Sequence, residues 1–145
     1  MEKIAPLGPV YQAGTLSGNP IAMTAGLKNL DIVSSEGFYE DLERKTARLV
    51  DGILAAARVA GIPMTANRVG AMFGLFFTDQ EQVASFADVG RCDIEAFKRF
   101  FHGMLDAGVN LAPSAYEAGF VSSAHTNELI DETIEKAATV LQFMS

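Results

Sequence analysis

The stretch Tyr11–Pro20 reads Tyr-Gln-Ala-Gly-Thr-Leu-Ser-Gly-Asn-Pro, and it opens the first long apolar segment of the chain. Asn19 is a favoured helix N-cap, and Pro20 suits the first helical position, where its missing N–H costs nothing. Beyond Pro20, apolar residues recur on most sides of a helix that we expect to end near Val33, which predicts burial on several sides. These residues are Ile21, Met23, Ala25, Leu27, Leu30, Ile32 and Val33.

The same stretch also carries the groups of an anion-binding loop. Gly14 and Gly18 can adopt backbone angles closed to other residues and let a ligand approach the main chain. Thr15 and Ser17 supply hydroxyl donors just ahead of a helix N-terminus, where the helix dipole favours negative charge. The alternative is a capped turn that binds nothing, and the loop taken alone favours that alternative.

The first ten residues contain Pro6, Gly8 and Pro9 and predict an extended loop. They hold no apolar run long enough for a signal peptide or a membrane span. Since a domain usually begins with an element that buries apolar side chains, we expect the chain to start partway through a longer protein.

The composition is that of a globular domain, with 145 residues of which 49% are hydrophobic and 20% charged. The net charge of −7, without a Lys/Arg block, argues against a nucleic-acid or membrane partner. Cys92 is the single cysteine, which rules out an intrachain disulfide and suits a reducing compartment, so we expect a cytoplasmic protein. His102 and His125 form no ligand-spaced pair, so no metal site is predicted. We expect His125 to make a structural hydrogen bond.

The rest of the chain predicts helices that alternate with short strands. A second helix is expected over Phe38–Ala60, stopped by Gly61, and a third over Asp93–Gly108. Thr126 is the expected N-cap of a final helix. Asp79–Arg91 is polar and predicts a mobile loop. The expected strands are Thr65–Val69, Ala71–Thr78, Val109–Leu111 and Phe120–Ala124.

This order of elements predicts an α+β fold, with helices packed on one face of a small, mostly antiparallel sheet. Each helix should turn one apolar face toward the core. The expected core residues are Leu42, Leu49, Val50, Ile53, Leu54 and Ala57 on the second helix, Ile94, Phe97, Phe101, Met104 and Leu105 on the third, and Ile130, Ile134, Ala137, Leu141 and Met144 on the last.

Most catalytic motifs are missing from this sequence. Gly18 is followed by Asn19 rather than by the lysine of a nucleotide-phosphate loop, and no nucleophile elbow or dinucleotide pattern occurs. One other segment remains, Pro113–Phe120, which places Tyr116 and Glu117 in a loop between short strands. Its simplest interpretation is an exposed carboxylate beside a half-buried ring, although loops on a rigid scaffold often carry function.

Taken together, three segments resemble the class III aminotransferase family of pyridoxal-phosphate (PLP) enzymes. They are Gly-Pro-Val-Tyr-Gln-Ala-Gly-Thr-Leu-Ser-Gly-Asn-Pro at 8–20, Met-Phe-Gly-Leu-Phe-Phe at 72–77, and Pro-Ser-Ala-Tyr-Glu-Ala-Gly-Phe-Val-Ser-Ser-Ala-His-Thr at 113–126. The Ser-Gly-Asn-Pro core is common to the family, whereas the flanking Tyr-Gln-Ala-Gly-Thr and Tyr-Glu-Ala-Gly-Phe resemble its aminomutases. The resemblance covers the whole chain, but only the C-terminal part of such an enzyme.

The resemblance implies a fold, a reaction and a cofactor. The fold is the small C-terminal domain of a fold type I PLP enzyme, residues 36–145, preceded by the end of a large-domain loop and the interdomain helix, residues 1–35. The aminomutases of this family isomerise glutamate 1-semialdehyde to 5-aminolevulinate, a tetrapyrrole precursor, as homodimers with PLP. Gly14 and Thr15 match positions that contact the cofactor phosphate of the neighbouring subunit. Glu117, with Tyr116 beside it, matches an acidic position near the substrate.

The sequence departs from the family's pattern in one respect. The family's catalytic lysine lies upstream of the Gly-Thr loop in a Ser-Lys motif, whereas only Lys3 precedes Thr15 here and no Ser-Lys pair occurs. No catalytic residue is therefore assigned in this chain. We expect the chain to be an inactive piece of the enzyme that does not retain PLP by itself.

Two other interpretations stay open. One is another class III aminotransferase, acting on ornithine or an ω-amino acid. Such enzymes usually carry a substrate-carboxylate arginine in the small domain, and no arginine lies near Glu117 in the sequence. The other is a stand-alone α+β binding or dimerisation module, which would suit a chain without an active-site lysine.

Overall fold

Residues 1–144 are described by a computed structural model, in which the chain divides into two units that meet between Glu36 and Gly37. The first unit holds one helix, α1 (Pro20–Val33). It begins as the sequence predicts, because the Asn19 side chain caps it and Pro20 takes its first position. Residues 1–10 are not extended as predicted, since a bridge between Ile4 and Val10 closes them into turns. It stays a prediction that residues 1–35 are the end of a large-domain loop and the interdomain helix, and that residues 36–145 are the small C-terminal domain.

The prediction that α1 is buried on several sides is wrong for the described residues. None of its residues is buried, and Ile21 and Leu27 are 80% and 60% exposed. The unit has no second layer of secondary structure against which the apolar side chains of this helix could pack.

The second unit contains four helices and three strands among its described residues. The sheet has the order β1-β2-β3 and both pairings are antiparallel, with Val69 opposite Met72 and Met72 opposite Phe120. This arrangement confirms the predicted α+β fold. The elements are α2 (Phe38–Val59), β1 (Thr65–Val69), β2 (Met72–Phe76), α3 (Phe86–Val89), α4 (Ile94–Asp106), β3 (Gly119–Phe120) and α5 (Asn127–Met144).

The core lies between the sheet and helices α2, α4 and α5, with α5 packed on both of the other two helices. Most of the predicted core residues of α2 and α5 are buried, but the buried face of α4 differs from the predicted one. Phe100 is fully buried although the sequence analysis did not include it, whereas the predicted Leu105 is 45% exposed. The buried residues of α4 are Ala96, Phe97, Phe100 and Met104.

Three predicted loop and strand segments also differ. The segment Asp79–Arg91 contains α3, a single turn of helix, rather than only irregular chain. Val109 forms no strand because its N–H donates to the carbonyl of Met104, closing α4 around Gly108, whose φ is +83°. The last strand stops at Phe120, since the chain turns at Ser122 toward α5.

The sheet and helices position the loop 113–118 of the second unit. Ala115 is buried in the core cluster, and β3 follows the loop directly. None of the helices in the described residues combines the length and apolar character needed to cross a membrane.

Candidate functional site

The predicted anion-binding loop of the first unit is a turn held by two backbone hydrogen bonds. The N–H of Ser17 donates to the carbonyl of Gly14 at 3.0 Å, and the N–H of Asn19 donates to that of Leu16 at 3.1 Å. Gly18 takes the left-handed conformation predicted for it, with φ of +77°. A Cβ on Gly14 would lie 2.7 Å from the Ser17 hydroxyl, which would have to rotate away.

The N-terminus of α1 does not supply free amides to this loop. Pro20 has no N–H, and the N–H groups of Ile21 and Ala22 both donate to Oδ1 of Asn19, at 3.1 Å. The next N–H, that of Met23, donates to the Asn19 carbonyl at 2.9 Å. The first N–H groups of α1 are thus engaged with Asn19, and the anion cradle stays a prediction.

Hydrogen-bond donors without a partner lie earlier in the loop, at Gly14 and Thr15, the two residues that the resemblance singles out. No described residue accepts a hydrogen bond from the N–H groups of Gly14 and Thr15 or from the Thr15 hydroxyl, and both residues are exposed. Gly14 has no side chain to shield its N–H from a ligand. Two amides and a hydroxyl form a set of donors that fits a phosphate group.

The second predicted segment forms a tight turn in the other unit. The Ser114 hydroxyl accepts a hydrogen bond from the N–H of Tyr116 at 3.2 Å, and the Ser114 carbonyl accepts one from the N–H of Glu117 at 3.0 Å. Ala115 is buried between them, whereas the Tyr116 side chain is half exposed. The turn thus has a fixed base and presents Tyr116 and Glu117 at the surface.

Glu117 lies at the junction of two cavities of about 280 Å³ each. The first cavity reaches between the sheet and the start of α5, past Phe97, Ile130 and His125. The second lies beside Met72 and Phe86. Within residues 1–144 the Glu117 carboxylate has no hydrogen bond or ion pair, so it can accept hydrogen bonds from a ligand.

His125 makes the structural hydrogen bond that the sequence predicts. Its Nδ1 lies 2.9 Å from the N–H of Ser122, which donates to it, and 3.1 Å from the Ser122 hydroxyl. In the neutral ring the proton must therefore sit on Nε2. His102 is exposed on α4, and no group of three or more metal-binding side chains occurs in the described part of the chain.

An arginine does approach the Glu117 region, although none is near it in the sequence. Arg68 borders the second cavity together with Glu117. Its guanidinium, however, faces Asp51 of α2 with 3.8 Å between Nη1 and Oδ2.

Cys92 is buried, and this burial raises the pKa of its thiol, as expected for an inert cysteine.

The chain belongs to the class III aminotransferase family, because the model of that family, "Aminotransferase class-III", matches residues 1–141. A relative from Neisseria meningitidis serogroup C (strain FAM18), named glutamate-1-semialdehyde 2,1-aminomutase, is 60% identical over all 145 residues. The chain spans 34% of that relative's length.

Solved structures share the fold. A glutamate-1-semialdehyde aminomutase from Pseudomonas aeruginosa PAO1 superposes with a TM-score of 0.72 and 19% identity, covering 92% of this chain and 30% of that one. A structure described as a transaminase with PLP bound superposes with a TM-score of 0.70 and 19% identity, again covering 92% of this chain and 30% of that one. These likenesses confirm the predicted fold class.

The four predicted site residues fall into two pairs. Gly14 and Thr15 belong to the first unit and Tyr116 and Glu117 to the second, and each pair is described within its own unit. Their roles toward a cofactor or substrate stay predictions.

Sequence reasoning missed Phe86, which it placed in a mobile loop. The available signal was the Ser-x-x-Asp capping pattern that begins one residue earlier.

Proposed function

We propose that this chain is the C-terminal part of an enzyme that isomerises glutamate 1-semialdehyde to 5-aminolevulinate with PLP as cofactor. The observation that carries the proposal is the 60% identity, over the entire chain, to a protein named for that reaction. The isomerisation moves an amino group between adjacent carbons and needs no other reactant. Pyridoxal phosphate, when bound, supplies the electron sink that lets the amino group change carbon.

Gly14 and Thr15 would hold the cofactor phosphate. Support comes from their uncommitted N–H groups, the free Thr15 hydroxyl and the absent side chain at Gly14. In the proposed homodimer these donors serve the neighbouring subunit, as the resemblance implies.

A single cysteine in 145 residues suits a reducing compartment, and we assign the enzyme to the cytoplasm.

Glu117 would contact the substrate, with Tyr116 beside it. An unpaired carboxylate at the junction of two cavities can accept hydrogen bonds from the amino group of an amino aldehyde. The largely apolar walls of both cavities would exclude water around that contact and strengthen it. Glu117 thus binds and orients the substrate in this proposal.

The catalytic lysine would come from outside these 145 residues. None of the five lysines follows a serine. Three of them, Lys45, Lys98 and Lys136, form ion pairs with carboxylates at 2.7–2.8 Å, so these amines already have partners within the chain. The lysines of this chain thus lack the Ser-Lys context that the family resemblance implies for the catalytic residue.

We expect no site-specific adduct when this chain is incubated with PLP and reduced with borohydride. Mass spectrometry of the digested protein should find only scattered, substoichiometric labelling of lysines. A stoichiometric adduct on one lysine would contradict the proposal that the catalytic amine lies elsewhere.

A chimera tests the proposed reaction directly. These 145 residues would replace the matched segment of the Neisseria aminomutase, which is 60% identical to them. We expect the chimera to form 5-aminolevulinate from glutamate 1-semialdehyde with kcat/KM within about tenfold of the parent, since the site residues come in matching context. An inactive but folded and PLP-loaded chimera would contradict the proposal. Amino transfer from ornithine or an ω-amino acid would favour the other class III activity.

A further inference from the structure

The ring of Phe86 packs against the ring of Tyr116, the residue before Glu117. The two ring centroids lie 5.1 Å apart with an interplanar angle of 35°. The Tyr116 hydroxyl reaches as far as Gly90, where it lies 4.0 Å from the position of a Cβ built on that glycine. Tyr116 therefore covers one side of the α3 turn. Both rings remain exposed, Phe86 by 79% and Tyr116 by 50%.

The α3 turn is fixed by a set of polar contacts. The Ser85 hydroxyl donates to Oδ2 of Asp88 at 2.9 Å, and the N–H of Ala84 donates to the same oxygen at 3.0 Å. The hydrogen bond from the Ser85 hydroxyl, above all, holds the pKa of the Asp88 carboxyl below its ordinary value. Arg91 donates to the other oxygen of Asp88.

The same contacts join α3 to the end of the central strand. Arg91 also donates to Oε1 of Gln80 at 3.0 Å, and Nε2 of Gln80 donates to the Thr78 hydroxyl at 2.9 Å. Thr78 is tied in turn to Pro63, whose carbonyl accepts its N–H at 3.1 Å. The α3 turn is thus a rigid platform beside the loop that carries Glu117.

We propose that Phe86 is a positioning residue for Glu117. The Glu117 carboxylate has no partner in the described part of the chain, so its place depends on the backbone of its turn. The N–H groups of Tyr116 and Glu117 both donate to Ser114, and the packing of the Tyr116 ring against Phe86 adds the one side-chain contact described for this part of the turn. The significance of Glu117 rests on the proposed function, whereas the ordering of its loop does not.

Amide hydrogen exchange of this chain tests the ordering. A surface aromatic pair contributes modestly, so Phe86→Ala should speed exchange of the Tyr116 and Glu117 N–H groups by about 2- to 10-fold. Phe86→Tyr keeps the stacked ring and should restore the original rates. Phe143→Ala is the matched control, because Phe143 is 88% exposed on α5. It should leave these two amides unchanged.

Four results would overturn the proposal. Unchanged exchange at Glu117 in Phe86→Ala would show that the ring does not order the loop. Equal acceleration in Phe143→Ala, or a general fall in Tm with Phe86→Ala, would show a nonspecific effect on stability.

In the active chimera, Phe86→Ala should lower kcat/KM while PLP affinity stays unchanged. If loop exchange rises but kcat/KM does not fall, Phe86 does not position Glu117 for the reaction. An inactive chimera would count against the proposed function and leave the exchange result standing.

Discussion

Replacing Phe100 with alanine is expected to lower the free energy of unfolding of the second unit by about 3–5 kcal/mol. Phe100 is fully buried on α4, and its ring lies 5.5 Å from that of Phe77, which comes just after the central strand. The substitution removes a large apolar surface and leaves a cavity that neighbours such as Met104 and Leu141, also fully buried, can fill only in part.

Urea unfolding followed by circular dichroism, extrapolated linearly to water, measures this loss. Phe143→Ala, on the exposed side of α5, is the control and should change the free energy of unfolding by no more than about 0.5 kcal/mol. A loss below about 1 kcal/mol for Phe100→Ala would mean that α4 does not turn this residue into the core.

Replacing Thr15 with alanine in the active chimera is expected to weaken PLP binding by about 10- to 150-fold. The change removes a hydroxyl that, in the proposed site, donates a charge-assisted hydrogen bond to the phosphate, worth about 1.5–3 kcal/mol. The backbone N–H groups of Gly14 and Thr15 remain, so binding should weaken rather than disappear. Titration of the apo-chimera and of its Thr15→Ala variant with PLP, followed by cofactor absorbance, gives the PLP dissociation constant of each protein.

Thr24→Ala provides the matched control for this experiment. Thr24 is an exposed threonine of α1 whose hydroxyl donates to the Pro20 carbonyl at 2.7 Å, so it is already committed within the helix. Its replacement should leave the PLP dissociation constant unchanged. If Thr15→Ala behaves like Thr24→Ala, the loop is only a capped turn, which was the alternative interpretation of Tyr11–Pro20.

The stretch Tyr11–Pro20 combines a helix cap with the two residues that we propose bind the cofactor phosphate. Asn19 satisfies the first amides of α1 with its own side chain and carbonyl, and Gly18 supplies the left-handed step before it. Gly14 and Thr15 lie outside that cap and keep their donors free. A helix start and an anion site can therefore be adjacent in sequence without sharing any hydrogen bonds.

The class of fold and the positions of the long helices follow from short-range signals in the sequence. Asn19, Gly108 and Thr126 end or begin helices where predicted, because a cap is an interaction among residues a few positions apart. The strands β1 and β2 lie where the sequence predicts them, and their antiparallel pairing joins residues that are close along the chain. The family resemblance rested on short motifs and was confirmed over almost the whole length.

Other features depend on where separate elements meet in space, and only the tertiary structure decided them. Helical spacing alone allowed either Phe100 or Leu105 to face the core, and packing against α5 and the sheet selected Phe100. The contact between Phe86 and Tyr116 joins α3 to a loop that is distant in sequence. Local patterns encode caps and turns because their partners are close along the chain, whereas burial and ring contacts require the elements to be assembled first.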